Sequence, residues 1–142
     1  MNGLEFLVES TVDSVHVSAK ERKICIELTC AWEGNERKKI TATGVDDFIA
    51  DELRLSNIVD RVHCFDAADF RENLSAIADN LFFLMRGRSP TPADLEWEPL
   101  KEKLKSIESG VLKLLVVEPV YGATIILLAR EVQLELISNE AL

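Results

Sequence analysis

Five side chains of this 142-residue chain have the chemistry of zinc ligands or of a nucleophile and its base: Cys25, Cys30, Cys64, His16 and His63. A structural zinc site needs about four such ligands in tetrahedral geometry. Cys25 and Cys30 lie in a segment of alternating character, and residues five apart on a strand point to opposite faces. His63 and Cys64 are adjacent and oppose each other in the same way. We therefore predict structural cysteines and no bound metal.

A catalytic thiol is also disfavoured. A reactive thiolate needs an electropositive, partly exposed environment such as the N-terminus of a helix. The cysteines stand instead in strand-like segments that contain acidic residues. The chain has no nucleophile elbow, phosphate-binding loop, dinucleotide-binding glycine pattern or metalloprotease helix motif. The sequence therefore predicts no catalytic residue and no cofactor, and it favours a protein that is not an enzyme.

Carboxylates are densest at Asp46, Asp47, Asp51 and Glu52. The spacing of a calcium loop, with its required glycine, is absent. Acids at the exposed start of a helix are one explanation, since the helix dipole favours them there. The same residues are the best candidates for contacting a basic partner, and Tyr121 joins them because tyrosine is enriched at binding hot spots. These five residues form the predicted interaction surface.

The charge of the chain excludes several partners. With 25 acidic residues against 16 lysines and arginines, the net charge is -9. Such a chain repels phosphate backbones and anionic lipid surfaces, so we expect neither nucleic acid nor membrane as a partner. The longest apolar run, Ala123–Ala129, is far shorter than the roughly 20 residues that span a bilayer. A protein partner of basic character remains compatible with this charge.

Composition also predicts the location and the domain count. At 47% hydrophobic and 29% charged residues, the chain is typical of one globular domain over residues 1–142. Its N-terminus lacks the basic and apolar regions of a secretory signal. Three cysteines are an odd number without a framework of spacings, which favours reduced thiols. We therefore expect a cytoplasmic protein.

The clearest structural pattern lies at Ile24–Glu33, which alternates over five periods of two and predicts a half-buried strand. Its apolar face comprises Ile24, Ile26, Leu28, Cys30 and Trp32. The following Gly and Asn favour a hairpin to a strand at Lys38–Val45. Two short strands, Leu4–Val8 and Val12–Ser18, are predicted before it.

The middle of the chain changes to helical spacing. Asp46–Leu53 predicts one or two helical turns, and Asn57–Phe65 predicts another strand. Ala68–Arg86 carries an apolar stripe at intervals of three and four, so it predicts the longest helix, ended by Gly87. A second helix follows with Pro99 in its first turn.

The last third predicts a second hairpin, formed by Val111–Glu118 and Ala123–Leu136. Its Ile125–Ala129 portion is apolar at every position, so that part of the strand should be covered on both faces. The strand continues with one polar face, and pairing of this portion with a second copy would give a homodimer. The fold class predicted is α+β, a mainly antiparallel sheet of six to seven strands with two helices packed on one face.

Two functions are compatible with these features. The first is a protein that acts by binding another protein through an acidic surface; small inhibitors, immunity factors and adaptors share this size, acidity and lack of a catalytic set. The alternative is a small-molecule-binding or minor enzymatic domain, with a pocket between sheet and helices that uses Arg61, His63 or nearby carboxylates. Whether Arg54, Arg86 and Arg88 join Arg61 around an anionic pocket is left open by the sequence.

Overall fold

The computed structural model describes residues 4–31 and 34–137. The described residues begin with a 3-10 helix at Leu4–Leu7 and include six strands and two α-helices. The strands are β1 (Thr11–Ser18), β2 (Lys23–Thr29), β3 (Arg37–Asp51), β4 (Ile58–Phe65), β5 (Lys113–Tyr121) and β6 (Thr124–Leu136). The helices are α1 (Leu74–Arg86) and α2 (Glu98–Glu108), with a second 3-10 helix at Pro92–Glu96 between them.

The six strands form one closed antiparallel sheet in the order β1-β2-β3-β6-β5-β4. The closure between β4 and β1 is short, with Thr11 opposite Ile58. Backbone hydrogen bonds from Val12 N to Asn57 O (2.9 Å) and from Val59 N to Ser10 O (2.8 Å) continue it. The predicted α+β class is confirmed, with six strands and two helices.

Apolar side chains pack on both sides of this sheet. The interior core lies inside the closed sheet and includes Ile26, Leu28, Ile40, Ile125 and Leu127. The helix-side core lies between the outer face of the sheet and the two helices. Its largest members are Ile77, Leu81, Phe82, Leu100, Ile107 and Ile126. Both helices therefore cover the same side of the sheet, as predicted.

The strand predicted at Ile24–Glu33 is confirmed as far as Thr29, where β2 ends, and the apolar run of β6 is confirmed in full. Ile24, Ile26, Leu28 and Cys30 are all buried in the interior core, although Cys30 and Ala31 follow the strand; Trp32 and Glu33 lie outside the described residues. In β6 every residue of Ile125–Ala129 is buried. Its odd-numbered residues face the interior core and its even-numbered ones face the helices, because a strand alternates its side chains.

The predicted strand at Leu4–Val8 is wrong, since this segment starts with the 3-10 helix. Leu4 and Leu7 are both buried in the interior core. Their spacing of three fits a helix with three residues per turn, whereas a strand would place them on opposite faces. Glu9 then takes a left-handed conformation (φ 63°), and β1 starts two residues later.

The predicted short helix at Asp46–Leu53 is also wrong, because β3 continues to Asp51. Ala42, Val45 and Phe48 all pack toward the interior core although they are three residues apart. Gly44 is left-handed, and the register with β6 shifts by one residue between Val45 and Asp47, so the alternation of side chains along β3 is interrupted there. The two irregularities give the sequence a spacing that resembles a helix.

The helices follow the prediction with one correction at the start of α1. The predicted helix begins at residue 68, but residues 66–73 form turns in which Asp66 Oδ1 accepts hydrogen bonds from Ala68 N (2.9 Å) and Asp69 N (3.3 Å). Gly87 ends α1 in a left-handed conformation, as expected. In α2, Pro99 lies in the first turn. Within the described ranges, neither helix has the length and apolarity to cross a membrane.

Candidate functional site

The thiols that could have served a metal lie apart. Cys30 is buried in the interior core. Cys25 lies on the opposite face of β2, with its Sγ 3.8 Å from Thr41 Oγ1. In the part of the chain that the structure describes, no three His, Cys, Asp or Glu side chains are close enough together to hold a metal ion. The predicted separation of Cys25 from Cys30 is confirmed.

His63 and Cys64 do not form a nucleophile and base. The His63 ring stacks on Phe65 at 5.4 Å between ring centroids, and its Nε2 is 3.5 Å from Glu118 Oε2. Burial raises the pKa of the Cys64 thiol from 9.0 to about 11. Because the thiolate is the reactive form, this shift keeps Cys64 unreactive at neutral pH.

The five residues predicted as an interaction surface separate into two groups. Asp46 lies beside α2, where Lys103 Nζ donates to its Oδ2 at 2.6 Å. Asp47 is its neighbour, and its Oδ1 accepts a hydrogen bond from Phe48 N (2.9 Å). Asp51 ends β3 opposite Thr124, and five residues of strand separate it from Asp46 by about 16 Å. The acidic residues therefore do not form one continuous patch.

The second group, Asp51, Glu52 and Tyr121, lies at the end of the closed sheet. Exposed apolar residues lie in the same segments. We define the end surface as residues 51–55 together with Val120 and Tyr121. Its apolar side chains are largely exposed, and Leu55 is fully exposed at 103% of its reference area. Leu53, Val120 and Tyr121 are each more than half exposed. Asp51 and Glu52 contribute carboxylates to the same segment.

A buried asparagine supports the end surface. The side chain of Asn57 is almost fully buried, and its Oδ1 accepts hydrogen bonds from Arg54 N (3.1 Å) and Ala123 N (2.9 Å). Its Nδ2 donates to Arg54 O (2.7 Å). Gly122 is left-handed (φ 94°), and a Cβ there would overlap Asn57 Oδ1. Asn57 thus ties the loop after β3 to the turn between β5 and β6.

A cation–π contact joins the two segments on their outer side. The Arg54 guanidinium lies 5.5 Å from the centroid of the Tyr121 ring. The sequence prediction included Tyr121 but not Leu53, Leu55 or Val120 in this surface. Leu53 was assigned to the apolar stripe of the incorrect helix. A signal existed at Leu55, an apolar residue between Arg54 and Ser56 that belongs to neither a helical nor a strand pattern.

A cavity of about 520 Å³ lies between the first 3-10 helix, β4 and the turns before α1. Its lining includes Arg61, His63, Cys64 and Asp69. Arg61 Nε is 3.3 Å from Glu118 Oε2, which also faces His63. The cavity thus contains the two residues named in the alternative hypothesis, and the carboxylate of Glu118 lies beside both of them.

The four arginines considered in the sequence lie in three separate places. Arg86 and Arg88 line a depression with Trp97, and Arg86 lies 5.3 Å from the centroid of the Trp97 ring. Arg54 belongs to the end surface and Arg61 to the cavity beside β4. These arginines therefore form no common anionic pocket.

Comparison with protein-family models, with curated proteins and with solved structures finds no match. The choice of function must therefore follow from the chemistry of these surfaces. The end surface offers exposed apolar side chains on a hydrogen-bonded support, which is the usual composition of a protein-binding site. In the cavity beside β4, Arg61 Nε and His63 Nε2 already face the carboxylate of Glu118.

Proposed function

We propose that this protein acts by binding another protein through the end surface. The observation that carries the proposal is the exposure of Leu53, Leu55, Val120 and Tyr121 on two segments that Asn57 holds together. Exposed apolar side chains that cluster on a rigid support favour association, because their burial is gained without the cost of ordering a loop. Single exposed apolar residues elsewhere need no such explanation.

The charge around this surface indicates the chemistry of the partner. Asp51 and Glu52 precede the exposed leucines, and the whole chain carries a net charge of -9. Such a charge accelerates encounter with a basic protein and lowers affinity for an acidic one. We therefore propose a partner with an apolar pocket and a basic rim, which agrees with a role as an inhibitor or immunity-type factor.

The experiment starts with a photo-crosslinking residue at position 55, used in lysate of the native cells at low and moderate salt. The captured protein is then purified, and its affinity is measured against Leu55→Ser, Tyr121→Ser and the matched control Leu74→Ser. Leu74 is also an exposed leucine, at the start of α1. Loss of a hot-spot residue should weaken binding about 30-fold, and the control should change it less than about two-fold. Equal effects of Leu55→Ser and Leu74→Ser would refute the assignment.

The cavity beside β4 supports a second candidate function, the binding of a small polar molecule. Its volume of about 520 Å³ is in the range of small-molecule sites, and Arg61 and His63 offer hydrogen-bond donors. A ligand screen by thermal shift tests this function. A stabilising ligand should lose its effect in His63→Ala and keep it in His16→Ala, because His16 lies on β1 and does not line the cavity. Equal loss in both variants would contradict it.

A homodimer through the C-terminal strand is proposed on the pairing of β6. Residues 124–136 pair with β3 on one edge, whereas on the other edge β5 reaches only to Ala129. Antiparallel pairing of residues 130–135 with those of a second copy would place Arg130 opposite Glu135 of that copy. We expect sedimentation to give twice the mass of 15.9 kDa and Glu135→Lys to give the monomer. A monomer at all concentrations would refute it.

A cytoplasmic location is proposed on the state of the thiols. Cys25, Cys30 and Cys64 are all unpaired, and Cys30 is buried. Free thiols persist in reducing compartments. Localisation of the tagged chain by cell fractionation tests this proposal, and recovery outside the cytoplasm would contradict it.

A further inference from the structure

Two arginines reach the same short stretch of β3 from different parts of the fold. Arg130 on β6 lies directly over Gly44, with its Cβ, Cγ and Cδ each 3.0 Å from the place where a Cβ on Gly44 would stand. Arg22, in the turn between β1 and β2, donates from Nη1 to the carbonyl oxygen of Val45 at 3.3 Å. Gly44 is also left-handed (φ 62°), so the irregularity in β3 makes the room for the Arg130 side chain.

A third cation, Lys103 on α2, reaches the next residue of the same stretch through its 2.6 Å hydrogen bond to Asp46. Residues 44–46 span only about 7 Å of strand, and Arg22, Arg130 and Lys103 all line one depression beside them. Among the described residues, Arg22 and Arg130 form no ion pair with a carboxylate. The lining of the depression thus includes three cationic side chains and one carboxylate, that of Asp46, in a chain whose net charge is -9.

These cations border a depression of about 480 Å³. This volume lies within the range of roughly 300–1,000 Å³ that small-molecule sites occupy. Val45 and Leu112 provide a buried apolar part of its lining, and Val111 is 56% exposed beside them. Ser106 on α2 adds a hydroxyl group. The depression therefore combines a cationic part with an apolar part and is larger than a single small anion requires.

We propose that this depression binds the phosphate group of a small phosphorylated molecule whose apolar portion rests on Val111. Guanidinium groups match the geometry of phosphate oxygens in bidentate fashion, and a lysine ammonium adds a point charge. In this structure the Lys103 ammonium donates a hydrogen bond to Asp46. Binding of a phosphate group would therefore compete with Asp46 for that ammonium.

The experiment is a ligand titration of the full, ¹⁵N-labelled chain. Binding is monitored by NMR through changes in the amide resonances. The probes are inorganic phosphate and phenyl phosphate, with phenol as the uncharged control and chloride used to keep the ionic strength constant. Both phosphates should shift the resonances of residues 44–46 and 103–106. Phenyl phosphate should bind about ten-fold more tightly, because its ring buries apolar surface on Val111. Shifts confined to other regions would refute the proposal.

Three variants test the parts of the site. Arg130→Gln should weaken the binding of both phosphates about five-fold or more, because it removes a guanidinium from the lining of the depression. Val111→Ser should reduce the advantage of phenyl phosphate and leave inorganic phosphate unchanged. Arg86→Gln is the matched control, since Arg86 is an arginine that lines a different depression. An effect of Arg86→Gln as large as that of Arg130→Gln would overturn the assignment.

Asp46→Asn and Asp47→Asn separate a local site from general electrostatics. Both substitutions remove one negative charge at adjacent positions, but only Asp46 is bonded to Lys103. Asp46→Asn should tighten phosphate binding about three-fold or more by freeing the ammonium, and Asp47→Asn should change it less than two-fold. Equal effects of the two substitutions would show attraction by net charge alone and would refute the site.

Discussion

β2 and the first half of β6 belong to the same closed sheet but are buried in different ways. β2 directs Ile26 and Leu28 into the interior core, while Glu27 on its outer face stays partly exposed. In β6, Ile126 and Leu127 are both buried, because α1 and α2 cover the outer face at that place. The comparison shows that helices protect only part of the sheet, and that the number of buried faces determines whether a strand alternates or is apolar throughout.

The largest effect is expected from Leu28→Asp on β2, the strand with one buried face. Leu28 has no exposed surface, so the substitution buries an unpaired carboxylate in the interior core. This costs several kcal/mol, enough to abolish soluble folded protein. Circular dichroism and the yield of soluble protein measure the outcome. A folded variant with the melting temperature of the parent would show that the face of β2 is assigned incorrectly.

The next largest effects are expected on β6, whose first half is buried on both faces. Ile126→Ala and Leu127→Ala remove buried side chains from these opposite faces. Each should lower the free energy of unfolding by about 2–5 kcal/mol, since both leave a cavity. Denaturant titration measures both variants. If Ile126→Ala changed stability by less than about 0.5 kcal/mol, as surface substitutions do, the helices would not cover this face.

A smaller effect, on the pH dependence of stability, is expected from Cys64→Ala. Cys64 lies on β4, where the interior core adjoins the cavity. Burial raises the pKa of its thiol from 9.0 to about 11. Between these two pH values the folded chain therefore retains a proton that the unfolded chain has lost. The contribution to stability is complete below pH 9 and decreases as the pH rises toward 11. Cys64→Ala should therefore lose less stability than the parent over this range. Parallel stability curves for the two proteins would contradict the prediction.

The smallest effect is expected from Glu27→Lys on the outer face of β2. This residue accepts a hydrogen bond from Ser14 Oγ (2.7 Å) and lies 3.8 Å from Arg37, and its register partner on β3 is Lys39. The substitution removes these partly exposed contacts and places a positive charge opposite Lys39. It should lower the free energy of unfolding by only about 0.5–1 kcal/mol. The variant should fold and melt a few degrees below the parent. A loss as large as that of Leu28→Asp would remove the contrast between the two faces.

Much of the fold follows from local patterns in the sequence. The alternation at Ile24–Cys30 identifies a strand because every second residue is buried, and the apolar run at Ile125–Ala129 does so because every residue is buried. The errors at Leu4–Val8 and Asp46–Leu53 have the opposite origin. Leu4 and Leu7 are three apart, and Phe48, Ile49 and Leu53 follow at intervals of one and four. The sequence does not show whether a helix or an irregular extended segment produces such spacings.

The candidate surfaces were only partly predictable. Tyr121 was identified by its residue type, and Asp51 and Glu52 by their charge. Their association with Leu55 could not be predicted, because Asn57 makes it by bonding to Ala123, 66 residues away. The prediction also joined Asp46 to this group, although its actual partner is Lys103 on α2. Periodicity describes neighbours along the chain and contains no information about such distant contacts.

By itself, the sequence determined the buried faces of β2 and of the first half of β6, the net charge of -9 and the separation of Cys25 from Cys30. These properties depend on residue type and on the two-residue period of a strand. Only the tertiary structure decided that the sheet closes, that the end surface gathers two segments, and that three cations meet at residues 44–46. Those features depend on long-range pairing, which brings together residues that no local pattern connects.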